Sequence, residues 1–127
     1  MKKKFLEITD PIHDFIRLNN AQQQIIDTPV FQRLRRIKQL SGAHLTYPGA
    51  QHTRFEHSLG VMHIAGMSAN SLSSKGQMPL SDINDIRLAA LLHDIGHGPF
   101  SHLFEELLQK KKTNNTRTDW KRDYPKN

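Results

Sequence analysis

The chain has 127 residues, of which 36% are hydrophobic and 24% are charged, and this balance fits one compact domain with one core. The longest apolar run, LAALL, is too short to cross a bilayer, and Glu7 and Asp10 interrupt the N-terminal segment before it could form a signal peptide. We therefore expect an unprocessed, cytoplasmic protein. The absence of cysteine excludes disulfides and thiolate metal sites.

The formal charge of +6 and the pI of about 9.8 raise the possibility of nucleic-acid binding. The basic residues, however, are concentrated at the ends: residues 1–4 carry three lysines, and residues 110–127 carry seven basic and two acidic residues. Residues 5–109 hold eight basic and ten acidic residues, a net of −2. One internal basic cluster remains, formed by Arg33, Arg35, Arg36 and Lys38. Nucleic-acid binding therefore ranks third, behind the two functions that are predicted below from the other motifs.

The N-terminal half predicts a short strand pair and two helices. Residues 4–17 alternate weakly around Asp10-Pro11, which is typical of a strand pair or turn. AQQQIID, at 21–27, fits one or two helical turns. Thr28-Pro29 is a helix start, and the helix should run to Ser41-Gly42 before a loop over 42–52. The apolar residues with helical spacing are Val30, Phe31, Leu34 and Ile37.

The C-terminal half predicts three more helices. Thr53 and Glu56 form a capping box, so a helix should run from there to about Leu72. After a loop over 73–80, Ser81 should cap a fourth helix that reaches Asp94. Two glycines then break the chain, and a fifth helix should open at Pro99 and end in lysines that complement its dipole.

The stretch LLHDIGHGPFSHLFEE, at 91–106, concentrates titratable side chains in an apolar segment. His93 and Asp94 can converge on one ion at the end of the fourth helix, together with His57 from the first turn of the third. Imidazole and carboxylate ligands suit Mn, Fe, Zn or Mg. His97 and His102 would line a pocket above the ion. The residues alone leave two interpretations open: a metal or catalytic site, or a polar helix junction whose side chains bond one another.

RFEHSLGV at 54–61 and LLHDIGHGPFSHLFE at 91–105 resemble the HD superfamily of metal-dependent phosphohydrolases. DPIH at 10–13 and IIDTPVFQRLRRIKQLSG at 25–42 are similar to its deoxynucleoside triphosphate triphosphohydrolase branch. The resemblance covers roughly residues 5–110. It implies an all-α HD-domain bundle of about five helices with a short N-terminal β-hairpin or turn. It also implies metal-dependent hydrolysis of a deoxynucleoside triphosphate to deoxynucleoside and triphosphate.

The resemblance also implies roles for individual residues. His57, His93 and Asp94 match three ligands of the family's metal site. The positions matching the catalytic and phosphate-contacting groups are His97, His102, Glu105 and Arg54; those meeting the deoxynucleoside are Gln39 and Leu40. The positions matching an effector site in regulated members are Asp27, Gln32 and Arg35. The alternative for Asp27 is a helix cap, and for Arg35 a surface charge.

The chain departs from the family pattern at its C-terminal end. The family's fourth ligand is an aspartate on a later helix, and neither Asp119 nor Asp123 lies in a helical or apolar setting. We therefore expect a truncated chain with a partial HD domain at 1–112 and an irregular basic tail at 113–127. Missing cover over the apolar face predicts homo-oligomerisation. The rival hypothesis is a catalytically inactive HD module that acts in binding or assembly.

Overall fold

The computed structural model describes residues 6–98 and 106–111. The strands and helices in chain order are β1 (Leu6–Asp10), β2 (Asp14–Leu18), α1 (Asn20–Ile26), α2 (Pro29–Gln32), α3 (Arg54–Ser74) and α4 (Ile83–Leu92). Residues 106–111 are also helical. The expected helical class with an N-terminal hairpin is confirmed. The predicted tail at 113–127 lies outside the described residues, as does the predicted start of the fifth helix at Pro99.

The hairpin is closed by a carboxylate. Asp10 accepts hydrogen bonds from the backbone amides of Ile12 and His13, both at 2.9 Å. The antiparallel register then pairs Ile8 with Ile16 on one face. Because side chains alternate along a strand, Ile16 is fully buried, and the hairpin contributes one face to the core.

The helix predicted from Pro29 to Ser41 ends much earlier, which corrects that expectation. Thr28 caps α2 as predicted, with its hydroxyl accepting from the amide of Phe31, but α2 stops at Gln32 and a 3-10 turn follows over Arg33–Arg36. The Ile37 carbonyl then accepts from the Arg54 amide at 2.8 Å. The helix does not continue to Ser41 because the backbone at residues 37 and 38 pairs with the segment at Thr53 and Arg54, at the start of α3.

The capping box that opens α3 is confirmed. The Thr53 side chain accepts from the Glu56 amide, while the Glu56 carboxylate accepts from the Thr53 amide. The predicted cap of α4 was wrong. Asp82 is the N-cap residue, a 3-10 turn over Leu80–Asp82 precedes it, and the Ser81 hydroxyl donates to the Asp82 carboxylate rather than capping the helix.

The core lies where α3 packs against α4, the hairpin and the α2 segment. Its buried members are Ile16, Leu18, Ile26, Phe31, Leu34, Ile37, Phe55, Leu59, Met62 and Leu91. Helices α3 and α4 run antiparallel, so the first turn of α3 lies beside the end of α4. This packing brings residues about 40 positions apart in the chain into contact, as the bond between Arg54 and Asp94 shows.

Gly66 lets α3 pass close to Arg87. A Cβ at Gly66 would lie 3.0 Å from Nη1 of Arg87, and that side chain is held by its bond to the Arg17 carbonyl. We expect Gly66→Ala to destabilise the fold, because overpacking costs about 1–3 kcal/mol and outweighs a helix-propensity gain of about 1 kcal/mol. Urea denaturation measures the change.

Gly60→Ala is the matched control on the same helix. A Cβ at Gly60 would meet only His13, at an ordinary contact distance of 3.5 Å. This variant should therefore gain stability from helix propensity, by up to about 1 kcal/mol. Equal effects of the two substitutions would contradict the close-approach explanation for Gly66.

Candidate metal centre

Three donor side chains meet between α3 and the end of α4. His57, His93 and Asp94 each offer a ligand atom, and these atoms all lie within 4.8 Å of one another. The two imidazole rings are 5.3 Å apart between centroids and tilted by 61°. Asp94 is buried, His57 is half-buried and His93 is exposed. The sequence placed these residues at two helix ends, and the fold brings the two ends together.

Local structure determines the direction of each donor. The capping box at Thr53 begins α3, so His57 falls in its first turn. His93 is the C-cap of α4, and Asp94 follows in the turn, where the chain leaves the helix. Adjacent residues on a continuing helix would point about 100° apart. The turn allows both side chains to face His57.

The hydrogen bond of His93 selects its tautomer. Its Nδ1 lies 2.7 Å from the carbonyl oxygen of Ala90. Because a carbonyl only accepts, Nδ1 carries the proton and the lone pair is on Nε2. A backbone carbonyl on the other ring nitrogen is the usual arrangement behind a metal-binding histidine.

His57 is also biased toward the neutral ligand form. Burial lowers the pKa of His57, and this effect exceeds the opposing attraction of the Asp94 carboxylate. Metal ions bind imidazole only in its neutral form, so a lowered pKa reduces the competition from protons at this nitrogen.

The Asp94 carboxylate contacts several of the other site residues. Its Oδ2 pairs with Nη1 of Arg54 at 2.5 Å, and both side chains are buried. Its Oδ1 lies 3.4 Å from Nε2 of His97 and 3.8 Å from Nε2 of His93. The carboxylate therefore connects the predicted metal ligands to two other predicted site residues, Arg54 and His97.

Two imidazoles and one carboxylate form a borderline donor set. Such sets bind Zn, Fe or Mn, and three protein ligands leave positions open for water or substrate. Within residues 6–98 and 106–111, this is the one cluster of three or more such donors close enough to hold an ion. The chemistry of the donors fits a divalent cation of the predicted kind.

The remaining predicted catalytic and substrate positions differ in where they lie. His97 is half-buried beside Asp94. The Gln39 amide donates to the His52 carbonyl, and Leu40 is half-exposed on the following turn. His102 and Glu105 lie outside the described residues.

The three predicted effector positions make contacts within the chain. Asp27 is the C-cap of α1. Nε2 of the Gln32 side chain donates to the Ile26 carbonyl at 2.8 Å, and Oε1 of the same side chain accepts from Nε of Arg35 at 2.7 Å. Arg35 also lies over the Phe55 ring, 3.5 Å from its centroid. Arg35 is therefore packed through a cation–π contact, and its effector role stays a prediction.

The internal basic cluster is largely used within the fold. Arg33 donates to the Ile95 carbonyl, Arg35 stacks on Phe55, and Nζ of Lys38 donates to the Gln51 carbonyl. A side chain held in this way is less available to a phosphate backbone. Nucleic-acid binding stays the third-ranked prediction.

Sequence reasoning missed a cleft beside the donors. It has a volume of about 850 Å³, and His57 is one of the residues that line it. The hairpin turn, the loop before α3 and one face of α3 line it, including Ile12, His13, Gln51 and Ile64. The DPIH motif at 10–13 was the available signal, but only the fold shows that it faces α3.

His63 couples stability to pH in this cleft region. The centroid of its ring is 5.0 Å from that of His13. Burial is the largest cause that lowers the pKa of His63; the charges of His13 and Arg87 lower it further, and the Asp10 carboxylate opposes them. As the pH falls from the ordinary histidine pKa of about 6.5 toward the lower pKa of the folded state, the unfolded chain takes up the proton on His63 first. The contribution of His63 to the free energy of unfolding should therefore be fully present above pH 6.5 and should decrease as the pH falls below it.

We expect His63→Gln to flatten this dependence. Thermal denaturation between pH 8 and pH 5 measures the pH dependence of stability. The difference between variant and parent at pH 8 gives the effect of the substitution that does not depend on pH. An unchanged slope in the variant would show that His63 does not contribute to it.

Comparisons with known proteins bear on this geometry. The HD domain family model matches residues 54–122. The deoxynucleoside triphosphate triphosphohydrolases SAMHD1 of Bos taurus and Homo sapiens are each 52% identical over 101 residues, which is 77% of this chain and 17% and 16% of theirs. A SAMHD1 homolog of Dictyostelium discoideum is 43% identical over 103 residues, 77% of this chain and 20% of its own. The chain thus spans no more than a fifth of the length of these relatives.

In the described part of the chain, no helix is both long and apolar enough to span a membrane. The matched region includes all of α3 and α4 and the three clustered donors. Because the family model covers more than half of the sequence, the chain belongs to the HD domain family.

Proposed function

We propose that this chain forms the metal-binding part of a phosphohydrolase site that hydrolyses deoxynucleoside triphosphates to deoxynucleoside and triphosphate. The observation that carries the proposal is the convergence of His57, His93 and Asp94 within 4.8 Å. The substrate class is supported by the names of the relatives, which are deoxynucleoside triphosphate triphosphohydrolases.

His57, His93 and Asp94 would hold a divalent ion; Mn, Fe, Zn and Mg are the candidates. When bound, such an ion supplies a more acidic water and polarises a phosphoryl oxygen. His93 presents Nε2 because its Nδ1 is committed to the Ala90 carbonyl. Open coordination positions would be filled by water.

His97 and Arg54 would act on the phosphate and the leaving group. A protonated histidine can donate a proton to a leaving oxygen, and Nε2 of His97 lies 3.4 Å from Oδ1 of Asp94, beside the donors. The Arg54 guanidinium would offset phosphate charge. His102 is proposed as a second phosphate contact, and Glu105 as the acidic partner of His97. Gln39 and Leu40 are proposed to meet the deoxynucleoside.

A second candidate is an inactive HD module that assembles with copies of itself. One observation favours it: the loop over 40–47 exposes apolar side chains, with Leu45 83% and Tyr47 68% accessible. Exposed apolar clusters of this kind mark interaction surfaces. A homo-oligomer is compatible with either function. The cysteine-free composition supports a cytoplasmic location for both.

Elemental analysis of the purified protein, paired with an assay for triphosphate released from dGTP, distinguishes the two functions. The enzyme hypothesis expects bound metal and release of triphosphate. His97→Ala should retain the metal and lose turnover by about 10²–10⁴-fold, as expected for loss of a general acid. His44→Ala is the matched control, because His44 lies outside both the donor cluster and the residues that line the cleft. Metal-free protein without turnover would favour the module.

A further inference from the structure

The guanidinium of Arg33 lies against the turn that follows α4. Its Nη2 donates to the carbonyl of Ile95 at 2.8 Å. Both Nη1 and Nη2 also reach the carbonyl of His97, each at 3.4 Å. One side chain from the α2 segment therefore contacts two carbonyls of a turn that is more than 60 residues away in the chain.

This turn carries two residues of the candidate site, Asp94 and His97. Asp94 immediately precedes Ile95, and His97 supplies both a site side chain and one of the carbonyls. Within the turn, the Ile95 amide donates to the Leu92 carbonyl at 3.1 Å, and the His97 amide donates to the Asp94 carbonyl at 3.2 Å. Ile95 and His97 lie beyond Leu92, the last residue of α4, so the hydrogen bonds of that helix do not fix their carbonyls, and a cation that binds both carbonyls restrains this part of the backbone.

Arg33 is well placed to hold the turn because its own backbone is anchored. It lies between the buried side chains of Phe31 and Leu34, in the 3-10 turn after α2. Its planar fork can donate to two carbonyls at once, which a lysine ammonium cannot do with the same geometry. Arg54 holds the Asp94 side chain. One arginine thus binds the backbone of this turn and another binds a side chain at its start.

We propose that Arg33 is a positioning residue, which keeps the Asp94–His97 turn in the geometry that the metal centre requires by binding its backbone carbonyls. Arg33 acts on the main chain and not on the ligand side chains. The consequence for metal affinity rests on the function proposed above, whereas the effect on the turn does not. The sequence alone indicated only a basic cluster for this residue.

Amide hydrogen exchange followed by NMR, residue by residue on the full chain, tests the effect on the turn. In Arg33→Ala, the amides of Ile95 and His97 should exchange about fivefold faster, the factor expected for the loss of about one net hydrogen bond. Exchange in α3 should not change, which separates local positioning from general destabilisation. Arg36→Ala is the matched control: it removes an exposed arginine from the same 3-10 turn and should leave exchange at Ile95 and His97 unchanged.

Isothermal titration with Mn²⁺ tests the consequence for the site. Arg33→Ala should weaken Mn²⁺ binding about 10–100-fold, as expected for residues that orient metal ligands, and Arg33→Lys should restore part of the loss. Arg36→Ala should bind Mn²⁺ like the parent. If the parent binds no Mn²⁺, the proposed function fails, and the exchange experiment alone decides the role of Arg33.

Unchanged exchange at Ile95 and His97 in a folded Arg33→Ala protein would overturn the proposal, as would uniform acceleration across the core. If Arg33→Ala does not fold, Arg33→Lys takes its place. Faster exchange confined to the turn in that variant supports the positioning role, and exchange equal to that of the parent rejects it.

Discussion

Replacing His93 with alanine is expected to weaken divalent-metal binding by more than about 100-fold, since loss of an outer partner alone costs about 10–100-fold and this change removes a ligand. Nε2 of His93 is the donor lost, and the bond from its Nδ1 to Ala90 disappears with it. The side chain is 37% exposed, so the fold should survive the substitution. Isothermal titration with Mn²⁺ and with Zn²⁺ measures the affinity, and thermal denaturation checks the fold.

His44→Ala is a suitable control for this experiment. His44 also bonds a backbone carbonyl three residues earlier, that of Ser41, but it lies outside the donor cluster. Its loss should leave the affinity unchanged. Metal binding that is equally strong in the His93 variant and the parent would remove the assignment of this site.

Arg54→Ala is expected to lower the free energy of unfolding by about 3–5 kcal/mol, the range for breaking a buried ion pair from one side. Arg54 and Asp94 are 3% and 8% exposed at their side chains, so the carboxylate would be left in a poorly solvated position. Urea denaturation measures the loss. The double variant Arg54→Ala with Asp94→Asn should recover part of it, because no buried charge then remains without its partner.

The exposed pair between Arg17 and Glu7 provides the matched control. Its Nε–Oε1 distance is 2.9 Å, but the side chains are 73% and 43% exposed. Arg17→Ala should therefore cost no more than about 1 kcal/mol, because water screens the pair. Similar losses for the two arginine variants would mean that burial does not set the strength of the Arg54–Asp94 interaction.

Features that depend on neighbours within one helical turn could be predicted from the sequence. The capping box of Thr53 and Glu56 and the start of α2 at Thr28-Pro29 are both present, because each involves residues three or fewer positions apart. The alternation in the hairpin also depends only on local spacing. The placement of the His-Asp doublet at a helix end belongs to the same class.

Features that depend on contacts between distant segments could not be predicted. The helix expected to reach Ser41 ends at Gln32, because the Ile37 carbonyl bonds the Arg54 amide. The use of Arg33 on the turn after α4, and of Gly66 for the passage of Arg87, follow from the same packing. No periodicity in the sequence records which distant carbonyl a given arginine will meet.

For this protein, the sequence by itself determined the starts of α2 and α3, the donor types and their positions at helix ends. Tertiary structure alone decided that His57 and His93 lie side by side, that Asp94 is buried against Arg54, and that a cleft opens beside them. The physical reason is that capping and alternation are short-range, whereas the distance between two helix ends depends on how α3 and α4 pack around a shared core.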